Sequence, residues 1–357
     1  MRKSFMLVGS GWRAEFFIRV AQFLPEYFEI SSIVTKNVEC TKRYSDLGVK
    51  CFAEVSDAVS IKTPNFAVVS VKAQVMQEVV LPLLNREIPV LMETPAGTSL
   101  DNLLSFVSKI PKGAKLQVAE QYHLRPDHMA RMNIISSGKI GRPVSALVSL
   151  TNNYHAISLI RKYLGVSGVN AKIRAQRFNI SGMPGFGREG APSEYKVTNF
   201  QQTLATFDFG DSIGIYDFED AQHRSYTRSQ RIQIKCENGE INNNHIKYIL
   251  DSKTPMEASL MRRNKGENEN MEGAGLKGII ADGMWVYENP FLEARLTDDE
   301  IAVAKCLLKM SEYCDGKPSF YSFFEAAQDS YLSCLIEEAI AHDKTVCASP
   351  QPWSEML

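Results

Sequence analysis

Residues 9–14, Gly9-Ser10-Gly11-Trp12-Arg13-Ala14, follow the short apolar run Phe5–Val8 and lead into a helical pattern from Glu15. Glycines at this spacing, between a first strand and a first helix, suit the binding of a diphosphate. Gly9 permits the tight turn, Gly11 lets backbone approach a pyrophosphate, and Ala14 is small enough for close packing of helix on strand. The N–H groups at the helix start then face the phosphates, where the helix dipole favours negative charge. Without a ligand the same residues make a plain strand–turn–helix; the position after an N-terminal strand favours the nucleotide site. Two other side chains could handle charge. His155 carries an imidazole, which titrates near neutral pH, and is otherwise a helix-start histidine bonded to a carbonyl. Lys72 follows the apolar run Ala67–Val71, and the carboxyl end of a parallel strand faces the cofactor crevice; otherwise it is a solvated or phosphate-touching lysine.

The elements that must position these residues change character near Gln121. Before it, strands at Phe5–Val8, Ile30–Val34, Ala67–Val71, Pro89–Met92 and Leu116–Ala119 alternate with helices at Phe16–Phe23 and Met76–Leu84. Short apolar strands separated by helices mean parallel β-α-β units with both sheet faces covered. After it come a helix over 128–137, a strand at Val144–Leu150 and a helix at His155–Leu164 stopped by Gly165. Strands at Lys172–Asn179, Leu204–Phe209, Ser212–Phe218 and Arg231–Cys236, joined by short Gly-Asp and Asn-Gly turns, predict an antiparallel sheet. Thr297-Asp298-Asp299-Glu300 is a capping box, and Phe324, Ala327, Tyr331, Leu335 and Ala339 form the apolar stripe of a last helix. The segments Gly182–Pro192 and Arg262–Gly275 read as mobile loops. The expected class is α/β: an N-terminal Rossmann domain with a parallel sheet over 1–121, then an α+β substrate-binding and oligomerisation domain with an open, mostly antiparallel sheet over 122–357.

A chain of 357 residues with 44% apolar residues can bury a core in each of two domains. The net charge of −1, without a basic stripe, argues against nucleic acid or an anionic membrane as partner. No apolar run is long enough for a signal peptide or a membrane span. Seven scattered cysteines without a C-x-x-C pair read as reduced thiols of a cytoplasmic protein, with no metal site.

Taken in order, five features resemble the glucose–fructose oxidoreductase/inositol dehydrogenase (Gfo/Idh/MocA) family. They are the N-terminal fingerprint; Pro89-Val90-Leu91-Met92-Glu93-Thr94-Pro95 in the place of the family's V-l-x-E-K-P; Gln121-Tyr122-His123-Leu124-Arg125-Pro126 in the place of N-x-R-F-x-P; Gly138-Lys139-Ile140-Gly141; and His155-Ala156-Ile157-Ser158 ahead of Tyr163-Leu164-Gly165. Leu296–Ala304 and Glu325–Ala339 are also similar to bacterial sugar-associated members, so the likeness covers nearly the whole chain. It implies NAD(P)-dependent hydride transfer on a sugar, polyol or related small molecule, a substrate pocket between the domains, and a homo-oligomer, dimer or tetramer.

Hydride transfer from an alcohol needs the C–H near nicotinamide C4, a group to take the hydroxyl proton, and stabilisation of the developing charge. The family uses the Lys of E-K-P with an Asp and a His for the proton. Here Thr94 stands in the lysine's place and Thr151 in the aspartate's, leaving His155 as the catalytic candidate and Lys72 as a candidate replacement for the missing charge. The family position gives Glu93 the nicotinamide ribose. Gln121, at a strand end, faces the nicotinamide, while Tyr122 and His123 line the substrate pocket or pack between domains. Ser10, Trp12, Val71 and Thr94 complete the expected cofactor contacts. At the end of strand two, NAD enzymes place an acid for the ribose 2′-OH. Thr35-Lys36-Asn37 offers a hydroxyl and a cation instead, with Arg13 available from the glycine loop, which favours NADP over NAD. Two other readings stay open: an NAD-dependent glycosidase-type enzyme without net redox change, and a non-catalytic NAD(P)-binding sensor or regulatory protein.

Overall fold

The computed structural model describes residues 2–46, 48–188, 190–266 and 273–357. The chain forms two compact units. The first comprises Met1–Pro126, Arg263–Gly278 and Glu288–Ala327; the second comprises Asp127–Arg262, Ile279–Tyr287 and Gln328–Leu357. Contacts thus return two later segments to the N-terminal unit, where the sequence patterning marks a single change near Gln121.

In the first unit, β1 (Lys3–Val8), α1 (Trp12–Phe23), β2 (Phe28–Val34), α2 (Val38–Asp46), β3 (Cys51–Phe52), α3 (Val55–Ile61), β4 (Phe66–Val69), α4 (Ala73–Leu84), β5 (Val90–Met92), α5 (Leu100–Val107) and β6 (Leu116–Val118) follow one another. The six strands are parallel, in the order β3-β2-β1-β4-β5-β6. This is the doubly wound arrangement, and its topological switch point lies between β1 and β4. The apolar runs are strands because helices cover both faces: Phe5, Met6, Leu7, Phe66, Val68, Val90 and Met92 are all fully buried. Three helices have no counterpart in the apolar patterning. α2, for instance, is Val-Glu-Cys-Thr-Lys-Arg-Tyr-Ser-Asp and buries only Tyr44, so its periodic signal is a single residue.

Edge strand β6 is completed by a later segment. The Gln117 side-chain carbonyl accepts hydrogen bonds from the Ser319 hydroxyl (2.8 Å) and from the Phe320 and Tyr321 backbone N–H groups (both 3.0 Å), while Val118 N–H donates to the Tyr321 carbonyl at 2.9 Å. Gln117 is 1% exposed.

The second unit is built from α6 (Pro126–Ser136), β7 (Pro143–Ser149), α7 (Asn153–Leu164), β8 (Lys172–Gly182), β9 (Thr198–Asp208), β10 (Ile213–Glu219), β11 (Arg231–Cys236), β12 (Gly239–Asn242), β13 (His245–Asp251) and β14 (Thr254–Ser259). Later in the chain come β15 (Met261–Asn264), β16 (Leu276–Ala281) and β17 (Met284–Glu288), which pair as a three-stranded sheet, then α8 (Asp298–Cys314), which belongs to the first unit, α9 (Phe323–His342) and β18 (Val346–Cys347). Nine strands form the large sheet β14-β13-β12-β11-β7-β10-β9-β8-β18. Its pairs are antiparallel except β7 with β10. Helix α7 lies close on β10: a Cβ at Gly214 would fall 2.6 Å from Ile160 Cγ2. The Thr297–Glu300 capping box forms as the sequence predicts, and Gly165 ends α7 with φ +67°. Of the two expected loops, Gly182 belongs to β8 and Arg262–Asn264 to β15, because both segments find strand partners. Glu189 and residues 267–272, in the same two segments, lie outside the described residues.

Replacing Gln117 by Leu is expected to cost about 2–4 kcal/mol, since two buried or half-buried backbone N–H groups lose the acceptor that Gln117 supplies. Thermal unfolding of the variant measures it; an unchanged midpoint would mean that the Ser319–Tyr321 segment bonds elsewhere.

Candidate functional site

The glycine turn lies at the centre of the parallel sheet because β1 delivers it there. Gly9 has φ +112°, and a Cβ at this position would sit 2.2 Å from the Ser70 carbonyl oxygen just after β4. Both the backbone conformation and the space demand glycine. Gly11 is different. Its φ of −76° suits any residue, and an added Cβ would meet nothing within 4 Å. No described residue leaves too little room for a side chain there; beyond the modest preference for glycine at the N-cap of α1, close approach by a bound group is what calls for one. Ala14 is fully buried.

Around the turn, the Ser10 and Thr35 hydroxyls are 2.7 Å apart, and Thr35 Oγ1 accepts from Asn37 N–H at 3.1 Å. Lys36, 78% exposed at its side chain, pairs with Glu54 at 3.2 Å. A cavity of about 640 Å³ opens here, lined by Gly9, Ser10, Thr35, Lys36, Glu54, Val71 and Arg86 among others. Glu54 and Arg86 are absent from the sequence-based set. β3, the strand before Glu54, has only two residues, too few to register as a period, so no pattern points there.

At the other end of the site, Arg13 Nε donates to Glu93 Oε1 at 3.1 Å, its Nη2 lies 3.0 Å from the same oxygen, and Nη2 donates to Gln121 Oε1 at 3.3 Å. Glu93 Oε2 accepts from Thr94 N–H at 3.2 Å. The guanidinium also stands 4.8 Å from the Phe16 ring centroid. Burial disfavours the Arg13 cation, but the Glu93 carboxylate outweighs it and holds the pKa above the ordinary arginine value. Arg13 is therefore tied to the ends of β5 and β6, rather than to Thr35 and Lys36 at the end of β2. Cys306 of α8, buried and near Glu93 and Glu120, has its pKa pushed well up and remains a neutral thiol. Lys72 is exposed at the N-cap position of α4 and makes no side-chain hydrogen bond or ion pair among the described residues. The cation set beside Glu93 is Arg13.

Tyr122 and His123 form a buried 3-10 turn of this unit, with the His123 ring 5.0 Å from that of Tyr321. In the second unit, His155 lies in the first turn of α7, with its ring 4.4 Å from that of Tyr154. Thr151 is fully buried, and its hydroxyl has no hydrogen-bond partner among the described residues.

Residues 3–120 match the Gfo/Idh/MocA family model, described as oxidoreductase family, NAD-binding Rossmann fold. This region belongs to the Gfo/Idh/MocA oxidoreductase family. Several solved structures share the fold over the full length. An NAD binding oxidoreductase from Klebsiella pneumoniae has a TM-score of 0.70 at 13% identity, covering 98% of this chain and 100% of its own. A myo-inositol dehydrogenase from Corynebacterium glutamicum has 0.66 at 16%, with the same coverage. The WlbA dehydrogenase from Bordetella pertussis, in complex with NADH and UDP-GlcNAcA, has 0.63 at 13%, again with 98% and 100% covered. At these identities the likeness is one of fold. No curated protein sequence matches the chain. Among the described residues, no helix is long and apolar enough to cross a membrane.

The two glycines separate fold from binding. Gly9→Ala is expected to lower the thermal midpoint and abolish binding together. Gly11→Ala is expected to cost no more than about 1 kcal/mol of N-cap preference while weakening NADH binding at least about tenfold, as one added methyl blocks the phosphates. Calorimetric titration beside a melting curve reads both; NADH affinity retained in Gly11→Ala would place the diphosphate elsewhere.

Proposed function

We propose that the protein is an NAD(P)-dependent oxidoreductase acting on a sugar, polyol or related derivative. The observation that carries this reading is the glycine turn: Gly9 is required by the fold and Gly11 is not, on a sheet of order β3-β2-β1-β4-β5-β6. Gly9–Trp12 and the backbone N–H groups at the start of α1 would hold the diphosphate. Thr35, Lys36 and Val71 would hold the adenosine half, and Glu93, Thr94 and Gln121 the nicotinamide half. When bound, nicotinamide supplies hydride acceptance or donation at C4. The chain's own part is to fix that ring and to handle a proton, for which we assign His155; Lys72 is a second candidate for charge near the reacting oxygen. The substrate class rests on the family resemblance, alongside a myo-inositol dehydrogenase and a dehydrogenase in complex with NADH and UDP-GlcNAcA that share the fold. NADP is favoured because the Lys36 ammonium suits a 2′-phosphate, although Glu54 beside it weakens that preference. Homo-oligomerisation fits the outer face of the large sheet, where Phe178, Leu204 and Ile213 share one side and are 44%, 39% and 48% exposed.

A second reading, a nucleotide-binding protein without turnover, draws on Thr94 and on the burial of Thr151, neither of which can carry a proton near neutral pH. It predicts cofactor binding with no turnover on a broad panel of sugars.

Titration with NADPH and NADH is the first test: saturable binding is expected, tighter for NADPH, and no heat or fluorescence change at millimolar levels of either overturns the nucleotide reading. Lys36→Ala is expected to weaken NADPH about three- to tenfold and NADH less than about twofold, the loss shrinking as salt rises. If turnover is found, His155→Ala is expected to lower kcat by about a hundredfold with NADPH affinity unchanged; an unaltered kcat would remove His155 from the chemistry.

A further inference from the structure

The sheet order divides the nucleotide site into two halves, β1–β3 for one nucleotide and β4–β6 for the other. A basic residue inside the glycine loop would ordinarily be assigned to the phosphates between them. Arg13 instead reaches across to the second half. It spends Nε and Nη2 on Glu93 after β5 and Nη2 again on Gln121 beyond β6, with Phe16 against its guanidinium.

That arrangement has a directional consequence. Arginine has donors only, so whatever faces it must accept. The Gln121 side chain is therefore forced to present its carbonyl oxygen to Arg13, which leaves both amide hydrogens for another acceptor. Glu93 cannot turn away either, because Oε1 is held by Arg13 and Oε2 by Thr94 N–H. We propose that Arg13 is a positioning residue for the nicotinamide riboside: it locks Gln121 as a donor and Glu93 as an acceptor, giving a complementary pair for a carboxamide oxygen and a ribose hydroxyl. It also supplies the fixed positive charge that Thr94 cannot. A guanidinium does not deprotonate in the working pH range, so this charge holds and orients but does not shuttle protons.

The inference rests on the nucleotide reading, and ADP distinguishes the two because it carries the adenosine and diphosphate but no nicotinamide riboside. Arg13→Met is expected to weaken NADH by about ten- to thirtyfold, the scale of one or two charge-assisted hydrogen bonds, and ADP by less than about twofold. Arg13→Lys, which keeps the charge but cannot bridge both partners, is expected to recover part of the NADH affinity. Gln121→Leu is expected to weaken NADH similarly, and adding Arg13→Met to it to cost less than a further threefold or so, since the two act as one unit. Equal losses for ADP and NADH would make Arg13 a phosphate ligand. Full additivity with Gln121→Leu, or no loss of NADH affinity in a folded Arg13→Met, would likewise overturn the proposal. Wild-type protein that binds neither ligand would refute the nucleotide reading itself.

Discussion

The approach of Gly9 to the Ser70 carbonyl is the constraint from which the rest of the first unit follows. It brings the turn after β1 against the end of β4, at the point where the strand order reverses. A side chain on Gly9 would push the two halves of the parallel sheet apart at their carboxyl ends. Because β1 and β4 are bonded neighbours, with Ser70 N–H donating to the Val8 carbonyl at 2.8 Å, this contact also sets where α1 begins. The start of α1 in turn decides which way Arg13 projects. A steric condition of a few tenths of a nanometre thus governs the placement of a charge two strands away.

The polar groups that matter most here are buried and reciprocally satisfied. Glu93 is 5% exposed and would be costly to bury without Arg13 and Thr94 N–H. Gln117 performs a similar task at the sheet edge, where its carbonyl replaces a missing strand for the Ser319–Tyr321 segment. In the second unit the buried Arg161–Asp329 pair, 2.5 Å apart, links α7 to α9. Such pairs contribute little net stability, because desolvation offsets attraction, but removing one partner is expensive. The exposed Lys36–Glu54 pair belongs to another regime: screened by water and salt, it is worth under about 1 kcal/mol and can yield readily to a bound anion.

The apolar strands of the first unit were legible because a parallel sheet covered on both faces needs continuous hydrophobic runs, and Phe5–Val8 and Val90–Met92 are such runs. Gly9, Gly11 and Ala14 were legible from spacing alone. α2 and α3 were not, since helices that bury one side chain each carry almost no periodicity. Glu54 was missed with them, as it lies between two elements too short or too polar to detect. The return of residues 288–327 to the first unit was equally hidden, because the Gln117 bonds that anchor part of it join residues about two hundred positions apart. Arg13 is the instructive case. Its position in the loop was plain, but a long side chain in a first helical turn can face phosphate, solvent or a neighbouring strand. Only the presence of Glu93 and Gln121 on one side decides between them.

Charge conservation in space, rather than in sequence, makes sense of Thr94. A carboxylate buried at the end of β5 needs a nearby cation whether or not that cation also handles protons. A lysine at position 94 and an arginine from the glycine loop could each meet the electrostatic need, yet they differ chemically. A lysine ammonium shifts its pKa readily in a buried site and can exchange a proton with a reacting oxygen, whereas a guanidinium cannot. With Arg13 in that role, the electrostatic and proton-handling duties separate. The first stays with Glu93, Gln121 and the glycine loop, all within the first unit. On the proposed reading the second falls to a titratable group elsewhere, and His155, at the start of α7 in the second unit, is the group assigned to it.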